Sequence, residues 1–481
     1  MSLLREDIEM QQRATTKSDS PLDTIKRRHR NTDLACLFGV TSDVVARWVG
    51  AAAYCQFLED REFKPLLSDE YAFIWKAIGE PRPTVPAECW PWFRTVCSAL
   101  HLVSDTASIE DICDQVRYSA LVDTTTTPHP TDAEKLACLI GVFSVLCWGS
   151  MTLTPILHWK TIASPPRLLI RQSLQSQNDH HQQGLKIDIV RRPVHAIFRN
   201  FRKIMTTSRW RQPIGGSISG DNPKCPHCAA TGGVGGSTVL YKSTLNYDSL
   251  KTIGKIRLRW VHELSSHLDF DSQNRCLYIF RFPSFCALGA LGKSRAPIFD
   301  GLVRALYSTQ HETTADSASE VSVRQLSQEI LMSYRILFAQ TRGSRRLAGI
   351  ALEGLQSENP HHYDSLLELV CTAPLKALVE DDLGRHPMLW PVSCRTFEDV
   401  LQEQDTYSSQ DDFPLLGQRL VKLQEFNLRQ QPSRLRDLWR DRRNVLQWYT
   451  FWAVLVVGGF SLLLALLSLG VAIAQLITSV A

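Results

Sequence analysis

For most of its length the chain repeats apolar residues at intervals of three and four, the spacing that lines one face of a helix. The series opens with Leu34, Leu37, Phe38, Val40, Val44, Val45 and Trp48 and runs on into Ala51-Ala52-Ala53-Tyr54-Cys55. Ser68-Asp69-Glu70 starts another helix, closed by Gly79 and Pro81, and Ser108 with Asp111 starts one more. Thr131-Asp132-Ala133-Glu134 reads as a capping box ahead of Leu136. The run from Leu136 to Leu157 carries no charge, but Gly149, Ser150, Thr152, Thr154 and Pro155 dilute its end. That pattern favours a buried core helix, with a second membrane span as the alternative. Leu34 to Ser42 (LACLFGVTS) and Leu136 to Ser144 (LACLIGVFS) match at all but two positions, which raises the idea of a duplicated helical unit.

Residues 213–245 interrupt the periodicity with Gly, Ser and Pro and predict a linker or long loop. A second ordered unit comes after it. The spacing predicts a helix over Lys251 to Leu268, a short strand at 275–281, and helices over Ile298 to Leu306, Val321 to Thr341, Tyr363 to Leu383 and Leu415 to Gln430. The expected fold class is therefore mainly α with one small β element. The expected divisions are a disordered basic N-terminus (1–31), a helical domain (32–212), the Gly/Ser-rich linker or loop (213–245), a second helical unit with the small β element (246–431), a basic juxtamembrane helix (432–447), a transmembrane helix (448–474) and a short tail (475–481).

The transmembrane prediction rests on Trp448 to Ala474, which contains no charged residue, no amide side chain and no proline. At ~1.5 Å per residue such a helix is long enough to cross a bilayer core of ~30 Å. Five arginines and two aspartates crowd Ser433 to Arg443, and nothing after Ala474 is charged. By the positive-inside rule the N-terminal side is cytosolic, and Trp448, Tyr449 and Trp452 fall at headgroup level. Gly458, Ser461, Ala465, Ser468 and Ala472 recur at steps of three and four, so one face of this helix is small enough for close approach. The stripe is read either as a pairing face, for a homodimer or another membrane helix, or as ordinary small-residue content.

The helix expected from Pro193 is strongly amphipathic. Ile197, Phe198 and Phe201 lie on its apolar face, Arg199, Arg202 and Lys203 lie opposite, and no acidic residue occurs between Asp188 and Asp221. Such a helix suits either the surface of an anionic cytosolic leaflet or packing on its own domain with a solvated basic face.

Composition narrows the chemistry. A net charge of +4 over 481 residues is close to balance, so no nucleic-acid partner is expected. The 13 cysteines form no compact framework, which suits a reducing compartment. Cys225-Pro226-His227-Cys228 offers two zinc ligands, Cys225 and Cys228, but no second such pair exists, so no cofactor is expected. His262-Glu263-Leu264-Ser265-Ser266-His267 spaces its histidines five apart, one too many for a zincin helix. Ala287-Leu288-Gly289-Ala290-Leu291-Gly292-Lys293-Ser294 fits a relaxed phosphate loop in which Lys293 would reach a nucleotide, although Ala287 replaces the first glycine.

Trp439 to Leu455 (WRDRRNVLQWYTFWAVL) resembles the C-terminal signature of uncharacterised filamentous-fungal membrane proteins. Arg259 to Asp271 (RWVHELSSHLDFD), with Ile279 to Cys286 (IFRFPSFC), is similar to their central block. That resemblance implies a helical cytosolic domain on a single anchor and brings no activity with it. The expectation is a membrane-anchored module that binds another protein or the membrane face; the alternative is a tethered enzyme using a metal at Cys225 and Cys228 or a nucleotide at Lys293.

Overall fold

The computed structural model describes residues 21–47, 50–120, 131–157, 167–171, 183–209, 239–292, 296–307, 322–380, 386–396, 398, 400–430 and 445–480. The fold is mainly helical. Its principal helices are α1 (Pro21–Phe38), α2 (Ala51–Phe57), α3 (Trp90–Leu100), α4 (Ile109–Ala120), α5 (Asp132–Ser150), α6 (Val194–Arg209), α7 (Pro283–Leu291), α8 (Pro297–Tyr307), α9 (Val323–Tyr334), α10 (Arg342–Glu358), α11 (Leu366–Thr372), α12 (Gly417–Arg429) and α13 (Val445–Val480).

The helix starts agree with their caps. Glu134 N–H donates to the Thr131 hydroxyl at 3.3 Å while Thr131 N–H donates to the Glu134 carboxylate at 2.7 Å, the reciprocal pair expected at the head of α5. Ser108 and Asp111 exchange the same bonds at 2.8 and 3.1 Å before α4. Helix α5 is mostly buried, in keeping with a core helix.

Among the described residues three small sheets accompany the helices: β1-β2-β3 (Thr154–Ile156, Arg167–Arg171, Gln183–Lys186), β4-β8 (Val239–Tyr241, Thr406–Ser408) and β5-β7-β6 (Arg257–Val261, Cys276–Phe280, Phe270–Asp271). Only β7 lies where the sequence predicts a strand. The helix expected over Lys251 to Leu268 is not present. A short helix stops at Thr252, and a Cβ on Gly254 would stand 2.8 Å from the Leu250 carbonyl, so only glycine fits the turn into β5. Likewise Pro374 divides the helix expected over Tyr363 to Leu383 into α11 and Leu375–Glu380, because proline brings no N–H to the ladder.

One hydrophobic core runs from Leu34 to Leu423 and takes in both expected helical units. Phe38 meets Phe285 edge to face at 4.8 Å, the Tyr54 hydroxyl donates to the Trp148 carbonyl at 2.5 Å, and Leu264 N–H donates to the Met151 carbonyl at 2.7 Å. A boundary at 213–245 therefore does not separate two cores.

Candidate functional site

Among the described residues nothing buries the apolar length of helix α13. Its segment Tyr449–Ile477 is 29 residues long with none of its window buried, and Leu462, Leu466 and Leu469 are each more than half exposed. A helix of that length spans ~43 Å at ~1.5 Å per residue, more than a bilayer core requires. Burying a leucine is worth ~1.5–3 kcal/mol, so this uncovered surface has a large drive toward lipid or another apolar helix. Tyr449 is exposed and Trp452 half-buried at the N-terminal end, while the side chain of Trp448 lies outside the described residues. Gly458, Ser461, Ala465, Ser468 and Ala472 are all exposed, and the Ser461 hydroxyl donates to the Val457 carbonyl at 2.9 Å.

Helix α6 corrects one expectation. Val194, Ile197, Phe198 and Phe201 are wholly buried, packed on α8 and on Phe143, whose ring lies 5.7 Å from that of Phe201. That apolar face is spent on the core and is closed to lipid. Pro193 holds the helix start through a bridge to Ser108. Arg192 and Arg199 remain exposed, and the side chains of Arg202 and Lys203 lie outside the described residues.

As far as Leu291, the stretch that resembles a phosphate loop is core helix. Ala287 and Ala290 are wholly buried, and the amides of Ala287 to Leu291 belong to α7. Its glycines serve packing: a Cβ on Gly289 would stand 2.6 Å from the Ser327 hydroxyl, and one on Gly292 would stand 2.2 Å from the Phe38 carbonyl. Lys293, Cys225 and Cys228 lie outside the described residues. Among the described residues no three His, Cys, Asp or Glu side chains converge as a metal site.

A polar seam runs between the two halves of the core, and sequence reading missed it. His362 and Asp60, 302 residues apart, pair at 2.9 Å. Burial raises the Asp60 carboxyl, but the bonds from His362 and Gln56 outweigh it and hold the group below the usual range. Arg281 donates to the His362 carbonyl at 2.7 Å and lies 3.4 Å from His262 Nε2, while its buried Nε has no partner among the described residues. His262 stacks on Phe57 at 4.5 Å, and burial followed by the Arg281 charge pushes it down to about 3. His267 is fully buried between the Ser333 hydroxyl at 2.7 Å and Phe280 N–H at 3.2 Å, and burial pushes it also to about 3. Both rings are neutral hydrogen-bonding parts of the core. Asp364 accepts from the Ser284 N–H and hydroxyl, each at 2.7 Å, and a Cβ on Gly50 would stand 1.9 Å from its carboxylate. Among the described residues the bonds to Asp60 come from Gln56 at 3.1 Å and from His362.

Two grooves flank the β5-β7-β6 sheet. One, of about 260 Å³, lies beside Phe270 and Phe426 with Arg419, Lys422 and Arg429 facing Asp269 and Glu425. Arg419 is occupied there, bonded to the Ser265 and His267 carbonyls and paired with Asp269 at 3.3 Å. The other, of about 520 Å³, lies between β5 and α10. Comparison with protein families, with curated proteins and with solved structures finds no match to this chain.

Proposed function

We propose that this protein is a single-pass membrane-anchored interaction module, its helical domain cytosolic and engaging a protein partner close to an anionic leaflet. The observation that carries this reading is the contrast between α13, of whose segment Tyr449–Ile477 no residue is buried, and a domain most of whose large apolar side chains are gathered into one core. The basic stretch Ser433 to Arg443 on the N-terminal flank supports the cytosolic orientation. No disulfide joins the eleven described cysteines, in keeping with the proposed reducing compartment. Exposed Arg192 and Arg199 offer electrostatic contact with anionic headgroups without insertion, each basic group contributing ~1 kcal/mol near the surface. The stripe from Gly458 to Ala472 is the proposed pairing face. The resemblance to filamentous-fungal membrane proteins supports the same anchored arrangement and adds no activity.

The test is alkaline extraction and protease protection on isolated membranes with an N-terminal tag. The full chain is expected to resist extraction, a chain ending at Val445 to be released, and the tag to be cleaved in intact vesicles. A protected tag would place the domain in a lumen and overturn the orientation.

A further inference from the structure

Strand β5 is the edge of its sheet, whose order is β5-β7-β6. Arg257 N–H donates to the Arg275 carbonyl at 2.8 Å and Arg281 N–H donates to the Val261 carbonyl at 3.0 Å. With the parallel register Arg257↔Cys276 to Val261↔Phe280, the backbone groups of residues 257, 259 and 261 face β7. Those of Leu258 and Trp260 therefore point out of the sheet. Beyond that edge lies the groove of about 520 Å³, walled on its far side by α10.

The groove has an apolar interior and a basic rim. Leu258 and Trp260 on the strand face Ile350 across it, and Ile350 is 56% exposed on α10. At Gly354, one turn further along α10, an added Cβ would meet nothing within 4 Å. Lys251, Lys255 and Arg257 line the groove against a single acidic residue, Glu358, and Arg259 is exposed on the same strand. Among the described residues neither Lys251 nor Arg257 makes an ion pair.

An open edge strand is a template for another strand, and charges on it decide which strand pairs. Arg257 and Arg259 repel a second copy of β5, and the cations around the groove attract carboxylates. A nucleic acid or a lipid headgroup shares the charge preference but has no alternating N–H and C=O to meet Leu258 and Trp260. We infer that the groove beside β5 takes an extended acidic segment of a partner protein, which adds as a new edge strand and sets its apolar side chains against Trp260 and Ile350. This inference rests on the reading of the protein as an interaction module and gives its partner a chemistry.

The probe is a dye-labelled peptide of alternating valine and glutamate, titrated by fluorescence anisotropy into the full chain in neutral phosphatidylcholine nanodiscs. Binding is expected, weakening as salt rises, and the same peptide with alternate amides N-methylated is expected not to bind. Gly354→Trp fills the groove from an open helix position; it is expected to abolish binding with the melting temperature unchanged or raised. Lys251→Glu with Arg257→Glu is expected to weaken binding by about tenfold or more. Equal binding of the methylated peptide, or binding unaffected by Gly354→Trp, overturns the inference. So does failure of the peptide to bind while a single-stranded oligonucleotide or a phosphatidylserine vesicle binds with the same variant sensitivity. Anchoring and orientation are read by extraction and protease protection, so failure of either reading is separable from failure of the other.

Discussion

Four buried titratable groups pull the stability of the domain in opposite directions with pH. His262 and His267 fall from 6.5 to about 3, so the stability tied to them is present above pH 6.5 and is lost as pH falls toward 3. Glu329 and Asp364 move the other way: burial raises them from 4.5 to about 8 and from 3.8 to about 6, against hydrogen bonds that favour the charged forms. Their contribution is present below their ordinary values and is lost as pH rises through the folded ones. Between pH 6.5 and 8 the loss tied to Glu329 outweighs the last of the gain tied to the two histidines, whose rings in the unfolded chain finish losing their protons there. The melting temperature should therefore decline between about pH 6.5 and pH 8, and Glu329→Gln should flatten that decline. A decline that persists in the variant would assign it to another group. Glycines give a second contrast at this scale. Gly50→Ala drives a Cβ into the Asp364 carboxylate and should cost at least ~2–3 kcal/mol in denaturant melts. Gly354→Ala meets nothing and should stabilise by ~0.5–1 kcal/mol through helix propensity.

Among the elements, the near-identical nine-residue segments take different conformations. Leu136 to Ser144 lies wholly within α5, whereas in Leu34 to Ser42 the helix ends at Phe38, Gly39 turns with φ +61°, and a new helix begins at Ser42. Their likeness does not mark a repeated unit, because the packing and the downstream residues of each segment decide where its helix stops. Helix α6 separates its two faces energetically. Phe201→Ala should cost ~3–5 kcal/mol by chemical denaturation, since the ring lies in the core beside Phe143. Arg199→Glu should leave stability within ~0.5 kcal/mol and weaken salt-sensitive binding to anionic vesicles; unchanged binding would remove that face from the proposed membrane contact. On α13, Gly458→Leu with Ala465→Leu should reduce intramembrane crosslinking between copies if the small-residue stripe is the pairing face, while leaving alkaline resistance intact.

At the scale of the whole molecule, the shared core predicts that the two halves stay together when the chain between them is cut. With a protease site inserted between residues 213 and 238, the cleaved halves should co-elute in detergent and melt in one transition; separation would mean that the shared core is too weak to hold them. The long apolar C-terminal helix, the helical class, the caps at Thr131 and Ser108 and the strand at 275–281 were legible in the sequence, because each depends on residues that are neighbours along the chain. Length and hydropathy are enough for a span, and two side chains three residues apart are enough for a cap. What covers the apolar face of α6, the break of the expected helix at Gly254, the packing role of Gly289 and Gly292 and the pairing of Asp60 with His362 were not. Amphipathicity states that a face needs cover but not what covers it, and a pair 302 residues apart leaves no local signal. The open edge of β5 has the same origin: the residues of the strand are in the sequence, but which neighbour it pairs with, and which side it leaves free, is set by the order of strands in the folded sheet.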